Sequence, residues 1–520
     1  MDAEYLDDFN DNAVKDTEVQ RFYRGTNVFI TGGSGFIGNI LIEKLLRSCN
    51  INKIYLLLRP KRGKDINKRL EDMFSGPVFE NIKKKVNLHK KIQIVTGDCA
   101  EKELGLSAED KAQLINNIHV IFHGAATVRF DEGLRQSTNI NVRGTIEILK
   151  LAKQMPNLKA VVHISTAFSN CIHSTMVEQI YPPAMHYKEL IALVDALKDD
   201  QLDKITDTVL GDYPNTYIFT KQIAESVIEE FANDIPIAIV RPSIVTGSAK
   251  EPIVGWINNM YGVTGIIAGA ALGILRTLYC NPDNTADLVP VDYVANCSIV
   301  AAWDVEKRRN NMINNSEDNN EDVVPVFNYV SGTDNRITWR DVMKFTEEVG
   351  PTVPSPKIIW HYWFTLNKHR SLHIIYTYLL HYLPAIMIDF IRQLMGKKPM
   401  MMKVYQKVEK FSMVLRYFTI KQFEFTNDNT KDLFKKLSKK DQDLFNFDIM
   451  SKYDWRAYWK GYIIGMRVYL VGDPMSTIPE GRKKVLKFKI IHYTLVSAVL
   501  CFLVFIAWQL LSVTHSILVK

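Results

Sequence analysis

The sequence is poor in the features that mark secreted or metal-built proteins. Six cysteines, at 49, 99, 171, 280, 297 and 501, stand far apart in 520 residues. No C-x-x-C pair occurs and no histidine spacing resembles a zinc site. A reducing compartment is therefore expected, with neither a disulfide framework nor a bound metal. The N-terminus has no apolar core: the first twenty residues hold seven acids against Lys15, which argues against a cleaved secretion signal. Charge of one sign is also scarce, with 64 Lys and Arg against 57 Asp and Glu, a net +7. This mild excess suits anionic cofactors or lipid headgroups better than base-specific reading, so no nucleic-acid partner is expected. Internal repeats are absent. A chain that is 47% hydrophobic and 23% charged is neither globally disordered nor a transporter made almost wholly of apolar spans. Its length allows two or three cores.

From Thr26, short apolar runs alternate with amphipathic helical stretches. The runs are Asn27 to Thr31, Lys53 to Arg59, Ile92 to Gly97, His119 to His123, Ala160 to Ser165 and Ile237 to Val240. Apolar strands without clean alternation, separated by helix-length segments, predict a doubly wound α/β domain with a parallel sheet covered on both faces. After an acidic segment at 1–20, this domain is placed at 21–350. Residues 306–325, rich in Asn and acid, read as a solvated loop. Past Pro356, aromatics, His, Met and Lys at helical spacing, as in Met401 to Lys410 and Ala457 to Val471, predict a second, mainly helical domain at 357–475.

Ile490 to Leu511 contains no Asp, Glu, Lys or Arg. As a helix its 22 residues reach about 33 Å, enough for a bilayer core. Arg482, Lys483, Lys484, Lys487 and Lys489 precede it and only Lys520 follows, so a transmembrane anchor with its basic, catalytic side in the cytosol is expected. Ile374 to Leu394 is also apolar but carries His381, Pro384, Asp389 and Arg392, which favours a protein-buried or interfacial helix over a second span.

The phosphate-binding signal is Thr31-Gly32-Gly33-Ser34-Gly35-Phe36-Ile37-Gly38, which follows a strand and opens a helix. Glycines at 32, 35 and 38 permit a tight turn, admit a pyrophosphate to backbone N–H groups and bring helix against strand. The next strand ends at Arg59, followed by Lys61, Arg62 and Lys64, where an NAD site would carry an acid. Cations there fit the 2′-phosphate of NADPH; a solvated basic loop is the alternative. Asp98, after the third strand, is a candidate adenine contact or an ordinary turn residue.

Catalysis of hydride transfer to a carbonyl needs a proton donor. Tyr-x-x-x-Lys occurs twice, at Tyr217/Lys221 and Tyr417/Lys421. The first sits between strands of the sheet and the second in the distant helical domain, so Tyr217 is the candidate acid. Lys221, on the same helix face, is expected to lower its pKa. Thr166 or Ser165, at the end of the fifth strand, would complete the site.

These residues form an ordered set: TGGSGFIG (31–38), LLLRPKRG (56–63), HGAATVRFDE (123–132), NVRGT (141–145), HISTAFSN (163–170), YIFTKQIAE (217–225), RPSIV (241–245), LVPVDYVAN (288–296) and YVSGT (329–333). The set resembles the extended short-chain dehydrogenase/reductases, and within them the insect-type fatty acyl-CoA reductases with a C-terminal male-sterility domain, over roughly residues 20–475. The resemblance implies an extended Rossmann domain that reduces long-chain fatty acyl-CoA with NADPH, through an aldehyde, to the alcohol. It further implies Tyr217 as acid, Lys221 as its partner and ribose ligand, Thr166 as the carbonyl-orienting hydroxyl and Asn141 as a relay member, Asn141 serving equally well to tune its helix. His123 reads as a satisfied core histidine. The family's lysine after the phosphate loop is Asn39 here, and Asn258 and Val263 replace its Asp and Pro, which bears on substrate preference. The long interval from Thr166 to Tyr217 reads as a lid or wall beside the active site, and the aromatic stretch from Ile358 to Leu394 as either an apolar tunnel or ordinary helix packing. A membrane-bound steroid or sterol dehydrogenase and a non-catalytic NADPH-binding scaffold are the competing readings; acyl preference, organelle (endoplasmic reticulum, peroxisome or lipid droplet) and oligomeric state are left open.

Overall fold

The computed structural model describes residues 16–60, 65–314, 324–449 and 453–518. Its centre is a seven-stranded sheet of β1 (Asn27–Thr31), β2 (Lys53–Leu58), β3 (Ile92–Thr96), β4 (Val120–His123), β5 (Ala160–Ile164), β6 (Ile237–Pro242) and β7 (Val326–Tyr329). The order is β7-β6-β5-β4-β1-β2-β3, and every neighbouring pair is parallel. Successive side chains point to opposite faces, and both faces are covered. Val28, Ile30, Leu56, Phe122 and Val240 enter one core, and Phe29, Leu57, Ile121, Val161 and Ile239 the other. That two-sided burial is why the strands read as continuous apolar runs.

Helices Phe36–Ser48 and Val291–Asn314 pack on the first face, and Gly144–Ala152 and Thr216–Phe231 on the second. The chain order reverses between β1 and β4, which opens a crevice at the carboxyl ends of those strands. Residues expected to form a solvated loop from 306 instead continue the helix as far as Asn314; 315–323 lie outside the described residues. The buried apolar residues of that helix, Val294, Ile299 and Val305 among them, do not continue past Val305 among the described side chains.

The helical region after Pro356 packs directly on the sheet domain. Trp459, Tyr462 and Phe447 are fully buried in the first core, and the hydroxyl of Tyr458 donates to the Gly247 carbonyl at 2.8 Å. Among the described residues, two stretches are long and apolar enough to cross a membrane by length and composition: Arg370–Leu394 and Met475–Ser512. The second belongs to one continuous helix, Ile478–Leu518, whose apolar window is entirely unburied. Its basic beginning is docked, with Lys484 donating to the Pro356 carbonyl at 2.6 Å.

Candidate active site

The glycine loop after β1 is shaped by close approach. Gly32 has φ +72°, and a Cβ there would lie 2.6 Å from the Gly124 carbonyl carbon beyond β4; a Cβ on Gly38 would lie 2.5 Å from the Gly32 oxygen. Gly35 caps the helix Phe36–Ser48 without a side chain, and Asn39 is the first residue whose N–H pairs within the helix, to the Gly35 carbonyl at 3.1 Å. The N–H groups of Phe36, Ile37 and Gly38 thus remain available to an anion. Thr31 holds the loop from below: its hydroxyl meets His123 Nδ1 at 2.7 Å. His123 Nε2 meets the Thr145 hydroxyl at 3.1 Å, so both ring nitrogens are used. Burial, reinforced by the Lys221 charge, pushes the His123 pKa down to about 3, and the ring is neutral.

At the far end of the crevice Arg59 follows β2 and is exposed, 3.9 Å from the Asp98 carboxylate. Asp98 also accepts from the Ala100 N–H at 3.1 Å, the geometry of a turn aspartate. Arg62, like Lys61 and Lys64, lies outside the described residues. These contacts and the open helix N-terminus suit a dinucleotide with an anionic diphosphate.

The candidate acid lies on the helix Thr216–Phe231, which starts where Asn215 accepts from the Ile218 N–H at 2.9 Å. Tyr217 is partly buried, and its ring stacks on Phe130 with centroids 5.7 Å apart. Burial raises the phenol pKa, the neighbouring Thr166 hydroxyl partly offsets this, and the Glu225 charge adds to it. Ser165 is committed elsewhere: its hydroxyl donates to the Glu225 carboxylate at 2.5 Å. The fold therefore brings Thr166, not Ser165, to Tyr217.

Lys221 departs from expectation. Its ammonium donates to the Ile164 carbonyl at 2.7 Å and lies 2.9 Å from His163 Nε2, with no hydrogen bond to Tyr217. It does not lower the phenol pKa here, because β5 offers nearer acceptors. Burial lowers the Lys221 pKa to about 7 against the opposing pull of Glu225. Asn141 is buried in a π-helical turn, Thr138–Arg143. It accepts from the Thr127 N–H at 3.0 Å and donates to Thr220 at 2.9 Å, so it touches the neighbour of Lys221 and not Lys221 itself.

Several participants were not legible in the sequence. Glu225 and Arg241, each 1% exposed, form an ion pair at 2.7 Å that also binds Ser165 and Ser169 and so fixes the Thr166 loop. Tyr417 and Lys421, expected to be remote, both donate to the Cys171 carbonyl, at 3.0 and 2.8 Å, only five residues past Thr166. They help line a cavity of about 650 Å³ with Phe130, Asn215, Arg370, Lys410, Met413 and Arg416. The repeated Tyr-x-x-x-Lys spacing was the signal available for them. The interval before Tyr217, expected as a wall, forms helices Tyr187–Ala196 and Asp199–Leu210. Only Pro214 and Asn215 of it reach the cavity, because Leu190, Val194 and Leu202 face the second core and Asp195 and Asp199 pair with Arg143 and Arg135. The wall is built instead by the helix Met401–Ile420.

An NAD-binding male sterility protein model matches residues 30–298, and a second male sterility protein model matches 380–473. Fatty acyl-CoA reductase wat of Drosophila melanogaster is 42% identical over 96% of this chain and 94% of its own length. Fatty acyl-CoA reductase 1 of Homo sapiens is 35% identical over 91% and 90%. Among solved structures, the reductase domain of a nonribosomal peptide synthetase from Mycobacterium tuberculosis superposes with TM-score 0.56 at 16% identity, over 88% of this chain and 95% of that one. The terminal R domain from the myxalamid pathway gives 0.54 at 18% identity, over 86% and 91%. These two share the fold. The NAD-binding model spans most of the sheet domain and supports a nicotinamide cofactor, and the chain belongs to the fatty acyl-CoA reductases.

Proposed function

We propose that the protein reduces long-chain fatty acyl-CoA to fatty alcohol through an aldehyde, consuming two NADPH and releasing CoA. One observation carries the reading: Thr166 and Tyr217 bring two hydroxyls together beside the dinucleotide crevice, next to a cavity lined by both apolar and cationic side chains. The bound nicotinamide supplies hydride. The remaining work falls to side chains of this chain.

Tyr217, its pKa raised by burial, is held as a protonated phenol and gives its proton to the oxygen that gains charge as the carbonyl is reduced. Thr166 orients that oxygen with a second hydroxyl. As the C–S bond of the resulting hemithioacetal breaks, its hydroxyl gives up that proton to the CoA thiolate, which leaves as the thiol, and the aldehyde remains beside the same two hydroxyls. A second hydride and a second proton from Tyr217 complete the alcohol. Lys221, one turn along the helix, is the group to hold the ribose and return protons to Tyr217. Asn141 positions that helix through Thr220 and stays the candidate relay group. Thr31, Gly32, Gly35, Phe36, Ile37 and Gly38 would hold the diphosphate, Asp98 the adenine side, and Arg59, with Arg62, the 2′-phosphate that separates NADPH from NADH. Arg370, Lys410, Arg416 and Lys421 give the cavity the charge to receive the CoA phosphates, and Met413, Val414 and Ile420 give it an apolar side.

The domain limits proposed are 21–350 for the reductase part and 357–475 for the helical part. The helix through 490–511 is proposed as a membrane anchor that keeps the catalytic body in the cytosol, at endoplasmic reticulum, peroxisome or lipid droplet.

Incubation with an acyl-CoA panel, counting NADPH oxidised and thiol liberated per alcohol, tests the reaction. Two NADPH and one thiol are expected. One cofactor and no thiol would instead indicate an alcohol dehydrogenase acting on steroids or sterols.

A further inference from the structure

The helix Arg370–Leu394 is turned inside out relative to a surface helix of a water-soluble protein. Its buried residues are His373, Thr377, His381, Ala385 and Asp389, a stripe that is mostly polar. A π-helical turn at Tyr378–Tyr382 keeps this four-residue repeat aligned, where an uninterrupted α-helix would let it drift around the axis. Thr377 bonds to His373 one turn away at 3.5 Å, and the other polar members have partners outside the helix. His373 faces the Thr277 hydroxyl at 3.3 Å, His381 accepts from the Arg276 N–H at 3.0 Å, and Asp389 accepts from the N–H groups of Met400, Met401 and Met402 at 2.8–2.9 Å. The opposite face is apolar and open: Ile375, Tyr378, Leu379, Ile386, Phe390 and Leu394 are 53–73% exposed. A contiguous apolar face of this size has no solvated rationale.

We infer that this helix is a second membrane element, lying in the plane of an anionic cytosolic leaflet with its apolar face among the acyl chains. Three observations choose the occupant. Residues 368–410 hold eight Lys and Arg against Asp389 and Glu409, and Asp389 is spent on backbone N–H groups, so the surroundings of the face are cationic. The face is joined to the unburied apolar helix: Arg276 donates to the Leu380 carbonyl at 2.9 Å and lies over the Trp360 ring at 5.4 Å, and the Trp360 indole N–H donates to His492 Nδ1 at 3.2 Å, at the start of the 490–511 stretch. A bilayer holding that stretch therefore begins at the level where the two elements meet. Finally, the helix is too well held to span. Its 25 residues have the length, but its polar stripe is bonded to the body from His373 to Asp389. Arg370, at its first turn, lines the cavity, so this seat opens the cavity at the lipid interface.

The seat rests in part on reading 490–511 as an anchor, and one experiment separates the two. Full-length protein carrying Cys501→Ser, which removes the exposed thiol and leaves the buried cysteines, receives a single new cysteine as Ile386→Cys, Val504→Cys or Lys435→Cys. Each is labelled with an environment-sensitive fluorophore and reconstituted in phosphatidylcholine–phosphatidylserine vesicles. Quenching is read with shallow and deep nitroxide lipids and with iodide. The inference expects position 386 to be quenched best by the shallow nitroxide and shielded from iodide, 504 best by the deep one, and 435 by iodide alone. Position 386 behaving like 435 would overturn it. So would a deep maximum at 386, the mark of a span, or protection from every quencher, the mark of a second copy or another protein. Iodide access at 504 with 386 still in lipid would defeat the anchor and leave the interfacial seat standing.

Discussion

Two Tyr-x-x-x-Lys pairs with identical spacing meet opposite surroundings, the second lining the cavity and the first behind its Phe130 wall. In the second pair the Lys421 ammonium donates to the Tyr417 oxygen at 3.1 Å, and both groups are spent on the Cys171 carbonyl. In the first, Lys221 turns to His163 and the Ile164 carbonyl, and the Tyr217 hydroxyl is left to Thr166. Helical spacing places two side chains on one face. What they do is decided by what faces them: a backbone carbonyl ties up the Tyr417 proton, whereas the Tyr217 proton is free for a substrate oxygen. The pair that looks more like a bonded acid and its cation is thus the one less suited to proton transfer, and its place on the cavity wall suits it to holding substrate.

The largest expected effect breaks the symmetry of the pairs. Tyr217→Phe should lower turnover by about 100- to 10,000-fold with NADPH binding little changed, while Tyr417→Phe should stay within roughly tenfold of the parent; alcohol formation and cofactor titration on both variants check this. Next, Thr166→Ala should reduce kcat/KM by about 10- to 100-fold, the loss of one positioned hydrogen bond. Ser165→Ala should instead lower stability by about 1–3 kcal/mol, by leaving the buried Glu225 short of a donor, a difference that denaturant melts alongside kinetics would resolve. Arg59→Ala should raise KM for NADPH roughly tenfold and leave KM for NADH unchanged, and retained preference for NADPH would remove Arg59 from the 2′-phosphate site.

The smallest effect is a pH dependence. Lys221 titrates near 7 in the fold and near 10.5 when exposed. The folded form therefore binds fewer protons than the unfolded form between these values, and its stability rises with pH across that window. Lys221→Met removes the buried charge, so its excess stability over the cofactor-free parent should be constant below about pH 7 and shrink from there towards pH 10. Urea melts of both proteins across this range measure it; an excess that does not vary would place the Lys221 pKa elsewhere.

Much of this was legible in the sequence because it is local. Six strands lie where apolar runs bounded by turn residues place them, and the glycine loop is read by strand, turn and helix in succession. The seventh strand, Val326–Tyr329, is short, and only its last residue falls in the YVSGT motif. What stayed hidden depends on partners distant in sequence. Nothing near Lys221 announces that His163, 58 residues earlier, will take its ammonium. Nothing near Tyr417 announces Cys171, 246 residues earlier. The Arg370–Leu394 segment was legible as apolar, but the direction of its apolar face follows from Thr277 and Arg276, which claim its polar stripe, so this part of the expected tunnel wall faces outward, while Tyr362, Phe364 and Leu366 line a small apolar pocket with Val263 and Ile266.

The central claim is that hydride and proton meet at the first pair and not at the second. The most direct measurement is a crystal structure of the full-length protein with NADP+. The nicotinamide should lie beside the Tyr217 and Thr166 hydroxyls, with the Lys221 ammonium moved from His163 to the ribose. A nicotinamide lying against Tyr417 and Lys421, or remote from both tyrosines, would contradict it.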